Sequence, residues 1–112
     1  MYGKNGPSPK KLLVIQGLKL GKNFQDLSEE LQIAKPTAEV YGIDGLAAGQ
    51  DVDYQMLAES MEISGESFQV IKNEIMQSDD KKLRTVGDNL NEAFTYNQIR
   101  FVLACMIQDL HL

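Results

Sequence analysis

The chain has 112 residues, of which 43% are hydrophobic and 24% are charged, a composition typical of one soluble globular domain. Its single cysteine, Cys105, excludes an internal disulfide framework and is typical of a reducing compartment. The longest early apolar run, LLVI, is too short for a membrane span or a signal sequence. We therefore expect a domain that folds through its own core, with no contact with a membrane.

The charges are distributed unevenly along the chain. The net charge is −5, yet the first 22 residues contain five lysines and no acidic residue. Between Pro36 and Ile71 there is no lysine or arginine, while aspartates and glutamates recur. A polyanion such as DNA is attracted to the first region and repelled by the second.

We interpret residues 1–9, which are rich in glycine, proline and polar residues, as a flexible lead-in or linker. Residues 10–112 are predicted to form a single domain. The predicted fold class is all-α, a small multi-helix domain with a helix-turn-helix core and at most a minor winged-helix-like β element.

The first two predicted helices lie before residue 32. Residues 10–20, KKLLVIQGLKL, are apolar enough for a buried first helix that ends at Gly21, although a strand is also compatible with this run. Asp26 is the predicted cap of a short second helix, with Glu29 three residues later as its capping-box partner.

The third predicted helix begins with Pro36, whose missing N–H costs nothing in the first turn. Gly49 is a natural residue to close it. Gly42 and Gly45 weaken this helix unless another backbone packs closely against them.

The second half of the chain is also predicted to be helical. Ser64 is the expected cap of a helix in which Phe68, Ile71 and Ile75 recur at helical spacing. Near the C-terminus, Thr95 has the spacing of a capping box with a glutamine three residues later.

The last predicted helix has two apolar stripes. One is formed by Ile99, Val102, Leu103, Met106, Ile107 and Leu110. Phe101, Cys105 and Leu112 form the other, on the opposite side, and are the candidate protein-interaction residues. Such a helix is either enclosed in the core or offers one face to a partner.

The sequence contains little that indicates catalysis. Cys105 and His111 are the only cysteine and the only histidine, so no four-ligand zinc site of nitrogen and sulfur can form within one chain. No phosphate-binding glycine motif and no nucleophile–base pair is present. We predict no catalytic residue, no metal and no cofactor, and we interpret Cys105 as a packing residue.

A likeness to a known family is clearest at residues 20–53 and extends over residues 10–110. Residues 20–53 have a characteristic order of elements. A short helix is followed by a turn, then by a helix that begins with threonine and ends in Ala-Gly, and then by an aspartate. This layout resembles the C-terminal helix-turn-helix domain of RecQ-type, Werner-syndrome-like helicases. The residues that carry the resemblance are Leu27, Ser28, Ile33, Thr37, Leu46, Ala48, Gly49, Val52 and Asp53.

The resemblance implies a non-catalytic accessory domain of a DNA-processing protein, often a helicase active in DNA repair or replication. Together with the reduced cysteine it implies a nuclear location. DNA, or another protein of the DNA-repair machinery, is then the expected partner. The helicase motor motifs are absent from this sequence, so an ATPase would lie elsewhere in a parent protein.

The third helix is not expected to read DNA, although it takes the place of a recognition helix. It is predicted to present Glu39 and Asp44 outward, with Lys35 alone before it, and DNA affinity depends largely on cations near phosphates. We expect weak, salt-sensitive DNA binding through other cations, and the candidate residues are Lys10, Lys11, Lys19, Lys22, Lys35, Lys81, Lys82 and Arg84. The alternative is an acidic helical protein-interaction module with no DNA contact.

Overall fold

The computed structural model describes residues 9–80 and 82–112, and within these ranges the chain forms seven helices and no strand. The predicted all-α class is confirmed. The helices are α1 (Pro9–Lys19), α2 (Phe24–Leu31), α3 (Lys35–Ala47), α4 (Tyr54–Ser60), α5 (Gly65–Gln77), α6 (Leu83–Asn89) and α7 (Tyr96–Ile107).

The chain divides into two compact units, one that ends at Asp53 and one that spans Tyr54–Leu112. We refer to them as the N-terminal unit, which contains α1 to α3, and the C-terminal unit, which contains α4 to α7. The predicted lead-in falls almost wholly on residues 1–8, which lie outside the described residues, and Pro9 already belongs to α1.

In the N-terminal unit α1, α2 and α3 each pack against the other two. The apolar run at residues 10–20 therefore forms a helix and not a strand, because both neighbours cover its inner side. The core of this unit is made by the buried residues Val14, Ile15, Leu18, Phe24, Leu27, Ala38, Ile43, Leu46 and Val52.

Two glycines of α3 allow this close packing. A Cβ atom on Gly42 would lie 2.9 Å from Cδ1 of Leu18 and 2.9 Å from Cε1 of Phe24. A Cβ atom on Gly45 would lie 2.9 Å from Cγ1 of Ile15. Close packing is present at both glycines, but it is made by side chains of α1 and α2 and not by another backbone as expected.

The predicted cap of α2 is wrong. The N-cap is Asn23, whose Oδ1 accepts a hydrogen bond from the Asp26 amide at 2.8 Å, so the helix begins earlier than expected. Asparagine caps a helix as well as aspartate does, and the earlier start includes the buried Phe24 in the first turn. Glu29 accepts a hydrogen bond from Gln25 instead of completing a capping box.

The predicted ends of α3 are confirmed. Pro36 lies in its first turn, and Gly49 follows its C-cap with a φ of +85°, a left-handed conformation that glycine adopts without a Cβ penalty.

The C-terminal unit is organised by α7, which packs against both α5 and α6. The predicted caps are confirmed. Ser64 Oγ accepts a hydrogen bond from the Ser67 amide at 3.1 Å. At the start of α7 the Gln98 amide donates to Thr95 Oγ1 at 3.0 Å, and the Thr95 amide donates to Gln98 Oε1 at 2.9 Å.

The stripe of α7 that was predicted to contact a partner protein is not at the surface. Phe101 and Cys105 are both 0% exposed, and Leu112 is only partly exposed. Phe101 and Cys105 therefore lie in the core and cannot contact a partner while the unit is folded. In the other stripe Ile107 is exposed, because the buried face of α7 is centred on Phe101 and Cys105.

Candidate nucleic-acid interface

The helix-turn-helix element consists of α2, a turn at residues 32–34 and α3. Gln32 ends α2 in the left-handed conformation with a φ of 55°. The Ile33 amide donates to the Ser28 carbonyl at 3.0 Å, which satisfies one of the last carbonyls of α2. In a DNA-reading protein of this shape, α3 would enter the major groove.

The outer face of α3 has little chemistry for reading DNA. Opposite its buried residues lie Thr37, Val40, Tyr41, Asp44 and Ala47, all of them half-buried. None of these is a lysine, arginine, asparagine or glutamine, the side chains that make most specific base contacts. Two hydroxyl groups and one carboxylate are its only polar side-chain groups.

Asp44 is already paired within the unit. Its Oδ2 lies 2.9 Å from Nζ of Lys11, so an acid of α3 and a predicted phosphate-binding lysine of α1 compensate each other. Asp44 lies on the outer face of α3, as predicted, with its side chain 43% exposed, whereas the prediction that Glu39 points outward is wrong. Glu39 lies on the side of α3 that also carries the buried Leu46.

The other lysines of the N-terminal unit differ in how far their charge is compensated. Lys22 Nζ lies 2.8 Å from Oε1 of Glu30, in an ion pair. Lys19 Nζ donates to Oε1 of Gln50 at 3.0 Å, and this amide leaves the positive charge uncompensated. Lys10 and Lys35 are exposed and form no ion pair with any described residue. Among the described residues of this unit, Lys10, Lys19 and Lys35 are therefore the cations available to an anionic ligand.

The candidate cations of the C-terminal unit are less suited to a phosphate. Lys81 lies outside the described residues. Lys82 is exposed, and its backbone amide donates to Oδ1 of Asp80 at 3.1 Å. Arg84 borders a surface cavity together with Asp88 and Glu92, so two carboxylates accompany one guanidinium.

Cys105 and His111 have no common site in the structure. Burial raises the pKa of the Cys105 thiol to about 12, so it stays protonated at neutral pH and is a poor nucleophile. His111 is exposed, with Nε2 3.5 Å from Oδ1 of Asp109. Within residues 9–80 and 82–112, no three metal-ligating side chains come together.

The sequence-based interpretation missed exposed apolar surface on α1 and at Leu20, the residue after its end. Leu12 and Leu13 are each 47% exposed and Leu20 is 79% exposed. They alternate with the buried Val14 and Leu18. Because the run is apolar on nearly every side, its sequence does not distinguish the inner leucines from the outer ones.

Residues 11–103 match a protein family described as a helix-turn-helix domain. The matched region includes all or part of every helix from α1 to α7. No curated protein and no solved structure matches the chain. Among the described residues, no helix combines the length and the apolar character needed to cross a membrane.

Proposed function

Because this chain belongs to the helix-turn-helix domain family that matches residues 11–103, we propose that it binds nucleic acid and has no catalytic activity of its own. The contact is made with phosphates, through Lys10 and Lys19 of α1 and Lys35 at the start of α3. One observation carries this assignment: these lysines keep uncompensated charge, whereas the outer face of α3 contains no cation.

The proposed contact is weak and depends on salt. Three lysine–phosphate contacts predict a slope of log affinity against log salt of roughly −2 to −3. The net charge of −5 opposes the approach of a polyanion over the rest of the surface. Without base contacts from α3, we expect little preference for sequence.

The proposal extends to the kind of larger protein in which this domain would occur. The resemblance of residues 20–53 to the accessory domain of RecQ-type helicases supports a role in a nuclear DNA-repair or replication helicase, whose ATP-dependent motor lies outside these residues. The family match over residues 11–103 is compatible with this role. In such a protein the domain would add a weak second contact to nucleic acid already held by the motor.

Fluorescence anisotropy with labelled single-stranded and duplex oligonucleotides at low salt tests the proposal. The variant Lys10→Gln with Lys19→Gln lowers the net charge by two and removes both cations of α1. We expect it to weaken binding and to reduce the salt slope by roughly 2.

A matched control, Gln69→Glu with Gln77→Glu, lowers the net charge by the same amount on exposed positions of α5. It should change affinity much less than the lysine variant. Equal effects of the two variants, or no binding at low salt, would contradict the proposed function.

A second candidate function, contact with a partner protein, is favoured by the exposed leucines on α1 and directly after it. Leu12, Leu13 and Leu20 form apolar surface of the kind that marks protein contacts. A protein of the DNA-repair machinery would suit the resemblance to RecQ-type helicases. Apolar docking responds little to added salt, whereas phosphate contacts weaken steeply, so salt dependence separates the two functions.

A further inference from the structure

The C-terminal unit has an open cavity of about 660 Å³ at its surface, formed by α6, the following loop and the start of α7. This volume lies within the range of ligand-binding sites. Its lining includes Arg84, Gly87, Asp88, Glu92, Phe94 and Tyr96. None of these positions takes part in the phosphate contact proposed for the N-terminal unit.

The aromatic ring of Tyr96 lines this cavity, and its position is fixed by packing against α6. It is 49% exposed, and a Cβ atom on Gly87 would lie 3.0 Å from its Cε1 atom. Glycine weakens the interior of a helix, but at position 87 it lets the tyrosine ring lie against α6. The ring is therefore positioned by packing and still open to a ligand.

The loop between α6 and α7 has an unusual backbone. Asn91 and Glu92 both have a φ of +56°, a left-handed conformation that is uncommon for residues other than glycine. It is held by the Asn91 amide, which donates to the Asp88 carbonyl at 3.0 Å, and by the Glu92 amide, which donates to the Gly87 carbonyl at 2.9 Å. This conformation places Glu92 and Phe94 beside the cavity.

The charges around the cavity favour a cation. Asp88 and Glu92 are exposed carboxylates, and neither forms an ion pair with a described residue. Arg84 is the single cation of the lining. A ligand phosphate would meet more negative than positive charge here, whereas a basic side chain would be attracted.

We propose that this cavity binds an arginine or lysine side chain from a basic segment of a partner protein. The cation lies against the aromatic rings of Tyr96 and Phe94, which attract it through their electron-rich faces. Asp88 and Glu92 accept its N–H donors in charge-assisted hydrogen bonds. Arg84 limits the affinity by like-charge repulsion. This site is separate from the proposed contact with nucleic acid, so either can fail alone.

An NMR titration of the full chain tests the proposal. The probe is N-acetyl-arginine N-methylamide, and its neutral control is the citrulline counterpart, which has nearly the same shape without the charge. We expect amide shifts at residues 87–96 with the arginine probe and much smaller shifts with the citrulline probe. Equal shifts with both probes, or none with arginine, would overturn the proposal.

Two variants that each remove one charge from the cavity lining give a second test, because they should change the affinity for the arginine probe in opposite directions. Glu92→Gln should weaken binding of the arginine probe roughly two- to five-fold, and Arg84→Gln should strengthen it by a similar factor. Both residues are exposed, so neither change should disturb folding.

Tyr96→Leu should also weaken the arginine complex, because an aliphatic side chain has no electron-rich face. Deoxyguanosine monophosphate is the competing probe, since aromatic walls also stack on bases. If this nucleotide binds more tightly than the arginine probe, and Arg84→Gln weakens it, the cavity is a nucleotide site and the proposal is wrong.

Discussion

The two units of this protein bring their helices together by different means. In the N-terminal unit, glycines of α3 allow side chains of α1 and α2 to approach its backbone. In the C-terminal unit the close approach at a glycine is that of the half-exposed Tyr96 ring to Gly87, and α7 contributes the fully buried Phe101 and Cys105 to the core. Side-chain caps start helices in both units, at Asn23 in the first and at Ser64 and Thr95 in the second. The helix-turn-helix shape of the first unit is therefore explained by packing, without any requirement that α3 face DNA.

The two units also differ in the ligand charge that they favour. The N-terminal unit leaves lysines uncompensated at α1 and at the start of α3, whereas the C-terminal cavity leaves two carboxylates uncompensated. Function is determined by such sites and not by the fold that carries them. This difference supports the two proposals made above, an anionic ligand for the first unit and a cationic ligand for the second.

The packing difference is tested most strongly by placing a side chain on a glycine of each unit. Gly42→Val should lower the free energy of unfolding by about 3 kcal/mol, because the added carbons overlap Leu18 and Phe24. Gly65→Val, at a position with no atom within 4 Å, should change it by less than about 0.5 kcal/mol. Urea unfolding measures both, and similar losses would disprove the role assigned to Gly42.

The role of caps in the C-terminal unit is tested at Thr95. Thr95→Ala removes the hydroxyl that accepts the Gln98 amide, and should cost about 1 kcal/mol of unfolding free energy. Thr95→Ser retains the hydroxyl and should cost much less. Thermal unfolding of the two variants provides the comparison, and an equal loss in both would show that packing, not capping, fixes the start of α7.

The compensation of Asp44 by Lys11 is expected to have a smaller effect. A double-mutant cycle with Lys11→Met and Asp44→Asn should give a coupling energy of about 0.5 kcal/mol, because both side chains are partly solvated. The coupling should decrease with added salt. A coupling near zero would mean that Lys11 remains available to phosphates, and it would then join the proposed contact.

Asp80 provides a pH-dependent test of the turn before α6. The pKa of its carboxyl is held below the ordinary 3.8, first by the hydrogen bond from the Lys82 amide and then by that from Thr85. Its stabilising effect is complete above pH 3.8 and is lost as the pH falls through the lower pKa of the folded state.

In the Asp80→Asn variant the free energy of unfolding should therefore fall less as the pH is lowered through the acid range. The helices of the N-terminal unit should be little affected. Unfolding monitored across the acid range measures this difference. If the free energy of unfolding depends on pH in the same way in the variant and in the original protein, protonation of Asp80 does not contribute to the pH dependence of stability.

Local signals in the sequence were sufficient for several elements. The side chains of Ser64 and Thr95 accept hydrogen bonds from backbone amides in the first turn of the helix that each begins. Such caps depend only on residues close in the chain, so the sequence alone identifies them. The start of α2 was predicted wrongly, because a local pattern does not distinguish two nearby residues that can both cap a helix. Asn23 and Asp26 are both good caps, and the burial of Phe24, which depends on contacts within the folded unit, favours the earlier one.

Features that depend on distant residues could not be predicted from the sequence. The pair between Lys11 and Asp44 joins residues far apart in the chain, and no local pattern indicates it. Two apolar stripes on α7 are equally compatible with burial until α5 and α6 are placed, and the structure encloses Phe101 and Cys105. The cavity beside Tyr96 depends on the left-handed residues 91 and 92, neither of which is a glycine.

The most direct test of the account is a map of amide chemical shifts during titration with a duplex oligonucleotide at low salt. We predict the largest shifts around Lys10, Lys35, and Lys19 with its neighbour Gln50, and small shifts at residues 40–47 of α3. The largest shifts at residues 40–47, with Lys10 and Lys19 unaffected, would show that α3 reads DNA and would contradict the account.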